Sequence, residues 1–139
     1  MHGVNLDQLG RRPAAHYGTL SFTELELQIE RYASDLGLQV RFFQSNAESE
    51  FVEHLHRLDG LSDGIVLNPG AWTHYSYAIR DALEIASLPA VEVHLSDVAR
   101  REEWRRTSVI SELCVATVSG EGPAGYRSAL ERLRGELGR

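Results

Sequence analysis

Gly64-Ile65-Val66-Leu67-Asn68-Pro69-Gly70-Ala71-Trp72-Thr73-His74 is the stretch whose reading decides the fold. A short apolar run ends at Asn68, a proline-glycine turn follows, and a helical pattern over residues 77–86 begins shortly after His74. Strand, sharp turn and helix start are thus packed into one segment. In open α/β sheets ligands bind just beyond the carboxyl ends of the strands. A helix start there also offers free N–H groups and partial positive charge. Asn68 and His74 are therefore candidates to touch a small polar ligand.

The flanking sequence repeats this alternation. Ser21-Phe22-Thr23-Glu24 matches a capping box, and Leu25, Ile29, Tyr32, Ala33 and Leu36 follow at helical spacing up to Gly37. Residues 38–43 read as a strand, and Ser45-Asn46-Ala47-Glu48 as a second capping box before Phe51, Val52, Leu55 and Leu58. Further strands are expected over residues 90–94 and 113–119, and Tyr126, Ala129, Leu130, Leu133 and Leu137 line a closing helix. Strands alternating with helices predict a parallel sheet covered on both faces. The chain reads as one domain over residues 1–139, with no repeat and no linker. Residues 1–20 are irregular and rich in glycine, so the first helix is preceded only by a loop where such a domain ordinarily opens with a buried strand.

Composition excludes several classes of function. A net charge of −6 offers no general basic field for nucleic acid. All 14 basic residues are arginine, so lysine nucleophiles and Schiff bases are ruled out, whereas arginine suits bidentate grips on carboxylates. The single Cys114 lies in an apolar run and reads as a buried strand residue; it cannot form an internal disulfide, as fits a reducing compartment. No apolar run approaches membrane-spanning length. A cytoplasmic protein without membrane association is the expectation.

Polar groups gather at the strand ends: Gln44 to Glu48, Asn68 to His74, His94-Leu95-Ser96-Asp97, and the glycine-rich residues 120–126. Arg11, Arg12 and Tyr17 lie in the opening loop. Each cluster has a bland reading. Ser45 and Glu48 are explained by a helix cap, His74 by a cap or surface position, and Glu92 with His94 by a structural pair. Arg100, Arg101, Arg105 and Arg106, interleaved with Glu102 and Glu103, read as a solvated helix face. The glycine-rich turn lacks the lysine of a phosphate-binding loop. His74, His94 and Asp97 have no recognised metal-ligand spacing, so no metal is expected. The G-x-S-x-G elbow of α/β-hydrolases is absent.

Taken together and in order, these pieces resemble the type II 3-dehydroquinate dehydratases. The resemblance rests on Gly3-Val4-Asn5-Leu6 with Leu9-Gly10, Arg12 and Tyr17-Gly18; on Gln44-Ser45-Asn46 with Glu48; and on Asn68-Pro69-Gly70-Ala71 with Thr73-His74. It continues through Ala78-Ile79-Arg80-Asp81, Glu92-Val93-His94-Leu95-Ser96, Arg101-Glu102-Glu103-Trp104-Arg105 and residues 120–126, covering essentially the whole chain. It implies a flavodoxin-like three-layer α/β sandwich, trimers that group into dodecamers, and no metal or cofactor. The implied reaction is anti elimination of water from 3-dehydroquinate to 3-dehydroshikimate through an enolate, in the shikimate or quinate pathway and aromatic amino acid biosynthesis. By resemblance Tyr17 is the base, Arg12 favours its ionised form and closes the lid of residues 1–20, and Asn5 positions a water at the enolate oxygen. His74 is the acid. Asn68, His94, the N–H groups of Leu95 and Ser96, and Arg105 bind substrate; Glu92 orients a neighbour; Asp81 reaches in from an adjacent subunit.

The chemistry is coherent on its own terms. An ordinary tyrosine titrates near pH ~10, so a phenol serving as base at neutral pH needs a cation beside it. The enolate needs donors aimed at its oxygen, and acid help to a poor leaving hydroxyl is typically worth ~10²–10⁴-fold. Two other readings compete: a homologue that binds such acids without turnover, and a truncated chain that only joins oligomers. Val4, Asp7, Pro13, Ser49 and Asp97 depart from the family pattern, and Pro13 restricts Arg12. The first strand is the larger departure, with Met1 falling at about its last residue. The expectation is a native start upstream, since neighbouring strands would otherwise keep unpaired backbone groups at ~1–3 kcal/mol each if buried.

Overall fold

In the computed structural model, which describes residues 1–139, strands Ile65–Leu67 (β1), Ala90–His94 (β2) and Ala116–Ser119 (β3) form a parallel sheet in the order β1-β2-β3. Val66 lies opposite Val91, and Val93 opposite Val118. All five residues of β2 are buried, as a central parallel strand covered on both faces requires.

Helices cover both faces. A single turn, Ala14–Tyr17 (α1), interrupts the opening loop. Phe22–Asp35 (α2) starts where the Ser21 hydroxyl accepts the Glu24 N–H at 3.1 Å. It buries Leu25, Ile29 and Ala33, one residue per turn, along a single stripe. Glu48–Arg57 (α3) and Tyr77–Ala86 (α4) pack on each other across the opposite face around Phe51, Leu55, Leu67, Trp72 and Ile79. Ser76 caps α4 by accepting the Ile79 N–H at 3.1 Å. The closing helix Gly125–Glu136 (α5) packs beside α2, and together they enclose a core with Val91, Val93 and Val118.

Three expectations are corrected. Residues 38–43 form no ladder. They run toward an isolated parallel bridge between Gln44 and His2, and His2 bridges Asn68 on its other side. Residues 1–3 are thus the stub of a strand between that segment and β1. The spatial order, residues 38–44, residues 1–3, β1, β2, β3, is the doubly wound order of flavodoxin-like folds. The sheet is short where the strand ends at Met1. The second capping box is also displaced: α3 begins at Glu48 with Ala47 as its N-cap, and Ser45 instead accepts the Ala47 N–H at 2.9 Å and donates to Glu50 at 2.6 Å. Finally, β3 starts at Ala116, because residues 111–113 make a tight turn.

Candidate active site

The chain reverses direction across the sheet between the stub and β1, and the crevice at such a switch point is where doubly wound folds bind ligands. Here the two exits are sewn together by main chain. The Asn68 N–H donates to Met1 O at 3.0 Å and the Gly3 N–H donates to Asn68 O at 2.8 Å. A Cβ on Gly3 would stand 2.1 Å from Pro69 O, and one on Gly70 (φ +68°) would stand 2.6 Å from Val4 O. Only glycine permits this approach. Asn68 is buried and turns its Oδ1 to the Gly70 N–H at 3.0 Å, which fixes the turn. Asn5 stands at the mouth in left-handed conformation (φ 67°), its N–H donating to Asn46 Oδ1 at 2.8 Å.

Tyr17 comes from the opening loop and is tied down at its phenol oxygen. Arg12 donates to that oxygen at 2.7 Å and Arg101 at 2.6 Å, with both guanidinium groups lying over the ring. Both partners are donors only, so the oxygen is held as an acceptor. Arg101 also reaches Ser96 Oγ at 3.4 Å, which brings Tyr17 to the exit of β2.

Glu92 lies fully buried on β2 and collects hydroxyl donors: Thr73 at 2.5 Å, Ser108 at 2.9 Å and Thr117 at 3.5 Å. His94 Nε2 donates to it at 2.6 Å. Burial would raise the Glu92 pKa, but the hydrogen bonds and the facing imidazole outweigh it and hold the carboxyl below its ordinary range. Glu92 is therefore an anion beneath His94. His74 differs. Its Nδ1 lies 2.7 Å from Thr107 O, and since a carbonyl only accepts, Nδ1 carries the proton. Desolvation lowers the His74 pKa, so its ring is neutral at pH 7 with only a lone pair at Nε2. The two imidazoles stack with centroids 6.4 Å apart, and Trp104 meets His74 edge-on at 5.2 Å.

Beyond His94, neither the Leu95 nor the Ser96 N–H is taken up by another backbone group. Arg105 stacks on Trp104 at 4.1 Å and is held by Glu102 at 2.9 Å. Asp81 is exposed on α4 and makes no hydrogen bond or ion pair to the groups named above. Asp97 turns to the Ala99 N–H and to Arg100, so it does not join the histidines.

The reading of the arginine cluster as a solvated helix face is overturned for two of its members. Residues 98–106 form two short turns, and the side chains of Arg101 and Arg105 are only 9% and 16% exposed. Arg101, Thr73 and Ser108 are the functional positions that pattern reading missed. The pairing of Arg101 with a phenol 84 residues away leaves no local signal.

Comparison with known proteins agrees with this geometry. The family described as Dehydroquinase class II matches residues 1–134. The 3-dehydroquinate dehydratase of Thermotoga neapolitana is 52% identical over 134 residues, 96% of this chain and 91% of that one. The crystal structures of the type II dehydroquinases from Propionibacterium acnes and Butyrivibrio crossotus superpose with TM-scores of 0.90 and 0.91, each at 39% identity. They cover 95% and 96% of this chain, and 91% and 93% of their own.

Proposed function

The chain belongs to the dehydroquinase class II family, and on that premise we propose that it is a hydro-lyase converting 3-dehydroquinate to 3-dehydroshikimate in the crevice between Tyr17 and His94. The Tyr17 oxygen, as phenolate, takes the proton from the carbon beside the ketone. The electron pair moves onto the ketone oxygen as an enolate, where a water held by Asn5 would donate. The enolate then collapses to the conjugated enone and expels the hydroxyl, which leaves as water with a proton from an imidazolium. Tyr17 has gained one proton and the imidazolium has lost one, and exchange with solvent restores both.

The acid is better drawn from His94 than from His74. A neutral His74, with its only N–H spent on Thr107, has no proton to give. His94 has its Nε2 engaged by the Glu92 carboxylate, which leaves Nδ1 without a protein partner and open to carry the proton that the leaving hydroxyl takes. His74 then serves as an acceptor for a substrate hydroxyl. Asn68, the free N–H groups of Leu95 and Ser96, and Arg105 would hold the carboxylate and remaining hydroxyls.

The single observation that carries this reading is the Tyr17 oxygen receiving two guanidinium hydrogen bonds. The test follows the ultraviolet absorbance of the conjugated product. Tyr17→Phe should abolish turnover and keep binding of a substrate-like acid; retained turnover would refute the assignment.

A homo-oligomer built from trimers, assembling to a dodecamer, belongs to the same proposal, as does work in the cytoplasm. It is supported by the outer face of α4, where Tyr77 and Ile85 are 68% and 65% exposed beside Asp81, a face suited to a second copy. Light scattering measures the assembly directly, and a monomer at assay concentration would remove Asp81 from the site.

A further inference from the structure

Arg80 belongs to the run Ala78-Ile79-Arg80-Asp81 on α4 and takes no part in the chemistry described above. Its guanidinium is turned inward, leaving 28% of the side chain exposed. One nitrogen donates to Val109 O at 2.7 Å, and another reaches Glu112 Oε2 at 3.3 Å. Glu112 is 80% exposed, and an ion pair so open to water contributes little. The bond to Val109 is of another kind. Val109 is buried, and no backbone N–H reaches its carbonyl. Arg80 therefore satisfies that carbonyl, through a charge-assisted bond.

The segment held in this way serves both histidines. Thr107 O fixes the tautomer of His74 through Nδ1 at 2.7 Å. Ser108 Oγ donates to Glu92 at 2.9 Å, beneath His94, and accepts the N–H groups of Ile110 and Ser111 at 3.3 and 3.1 Å. The Val109 N–H donates to Thr73 O at 2.8 Å. Residues 107–109 thus run beside residues 73–74, and Val109 is gripped at its N–H and its C=O alike. Thr73, His74 and Arg80 lie on one continuous stretch of chain, whose turn into α4 is fixed by the Ser76 cap.

Resting on the hydro-lyase reading, we propose that Arg80 is a positioning residue, whose grip on the Val109 carbonyl keeps residues 107–109 in the register that orients His74 and brings the Ser108 hydroxyl to Glu92. Without this donor the carbonyl is left unpaired, and it can regain a partner only by turning toward water. That rotation carries Ser108 and Thr107 with it. A misplacement of about 1 Å at such groups can cost ~10²-fold in rate, even when the change lies away from the chemistry. Arg80 itself touches no reacting atom.

Arg80→Met keeps an aliphatic stem and removes every donor. Steady-state kinetics on the full chain should show kcat at least tenfold lower. KM should change less than threefold, because the Leu95 and Ser96 N–H groups lie outside the segment. Arg80→Lys retains a cation able to reach one carbonyl and should recover at least a third of the parent kcat. Glu112→Gln should leave kcat unchanged. Hydrogen exchange read by mass spectrometry should show the Val109 amide exchanging at least tenfold faster in Arg80→Met, a readout that needs no substrate. Arg80→Gln, too short to reach Val109 O, repeats both measurements if Arg80→Met does not fold. A purely structural arginine would lower Tm and leave the kcat of the folded chain within threefold of the parent, which would overturn the proposal. So would unchanged exchange at Val109, or an Arg80→Lys variant as slow as Arg80→Met. A parent chain without turnover would instead refute the hydro-lyase reading, and the exchange measurement would still decide whether Arg80 holds the segment.

Discussion

Replacing Glu92 by Gln removes one negative charge and almost no volume. The carboxylate takes three hydroxyls and the His94 N–H, and nothing of it reaches solvent. An amide placed with its oxygen toward His94 keeps that bond, and its NH₂ meets the Ser108 and Thr117 hydroxyls, which rotate to accept. What is lost is the ionic part of the bond to the imidazolium, about 1.5–3 kcal/mol for a hydrogen bond to a charged group. At tenfold per ~1.36 kcal/mol, kcat should fall ~10–150-fold. Stability should hold or rise slightly, because a buried charge no longer has to be desolvated. The assay is continuous absorbance of the enone product across pH, alongside thermal unfolding. A Glu92→Gln variant with kcat within threefold of the parent would refute the role given to this pair.

Arg101→Gln should lower kcat about 100-fold with little change in Tm, because it strips a charged donor from the Tyr17 oxygen and leaves both hydrophobic layers intact; steady-state kinetics measures it. His2 is buried among Phe22, Phe42 and Tyr126, and burial lowers its pKa from 6.5 to about 3. The unfolded chain therefore binds the extra proton between pH 6.5 and 3; stability is full above 6.5 and falls as pH drops through that window. At pH 5 the loss is roughly 2 kcal/mol, about 1.5 pH units at ~1.36 kcal/mol each. His2→Phe should remove that slope in urea unfolding at pH 5 and 7. The Met1 amine, lowered by burial from 8.0 to about 5, adds a slope of the same sign between pH 8 and 5 that the variant keeps. Ser76→Ala takes away the buried cap of α4 and should cost about 1 kcal/mol in the same experiment.

Helices and turns were legible because their signals are local. Ser21 with Glu24, the stripe of Leu25, Ile29 and Ala33, and the run from Gly64 to His74 each carry their own geometry. Residues 38–43 have the composition of a strand, yet a ladder needs a neighbour, and theirs extends only to His2. Ser45 has the spacing of a cap, but its hydroxyl is drawn to Glu50. At the site, Asn68, Glu92 and His94 could be named from sequence, whereas the division of labour proposed for His74 and His94 could not. That division depends on a carbonyl at Thr107 and an anion at Glu92, which only the folded chain brings to the two rings. Arg101 was hidden for the same reason, since its charge reads as solvated until Tyr17 arrives from the far end of the chain.

Gly3 and Gly70 have a consequence for anyone who would reshape this enzyme. Where most catalytic clefts take their width from the girth of the side chains beneath them, this one is gauged by peptide planes touching edge to edge. Swapping larger or smaller residues through either hydrophobic layer should leave the span from Asn5 to Asn68 almost untouched. A single added methyl at Gly3 would act as a wedge, prising the root of the opening loop from the turn. Room for a bulkier acid has to be sought on the Trp104 side, where side chains set the boundary.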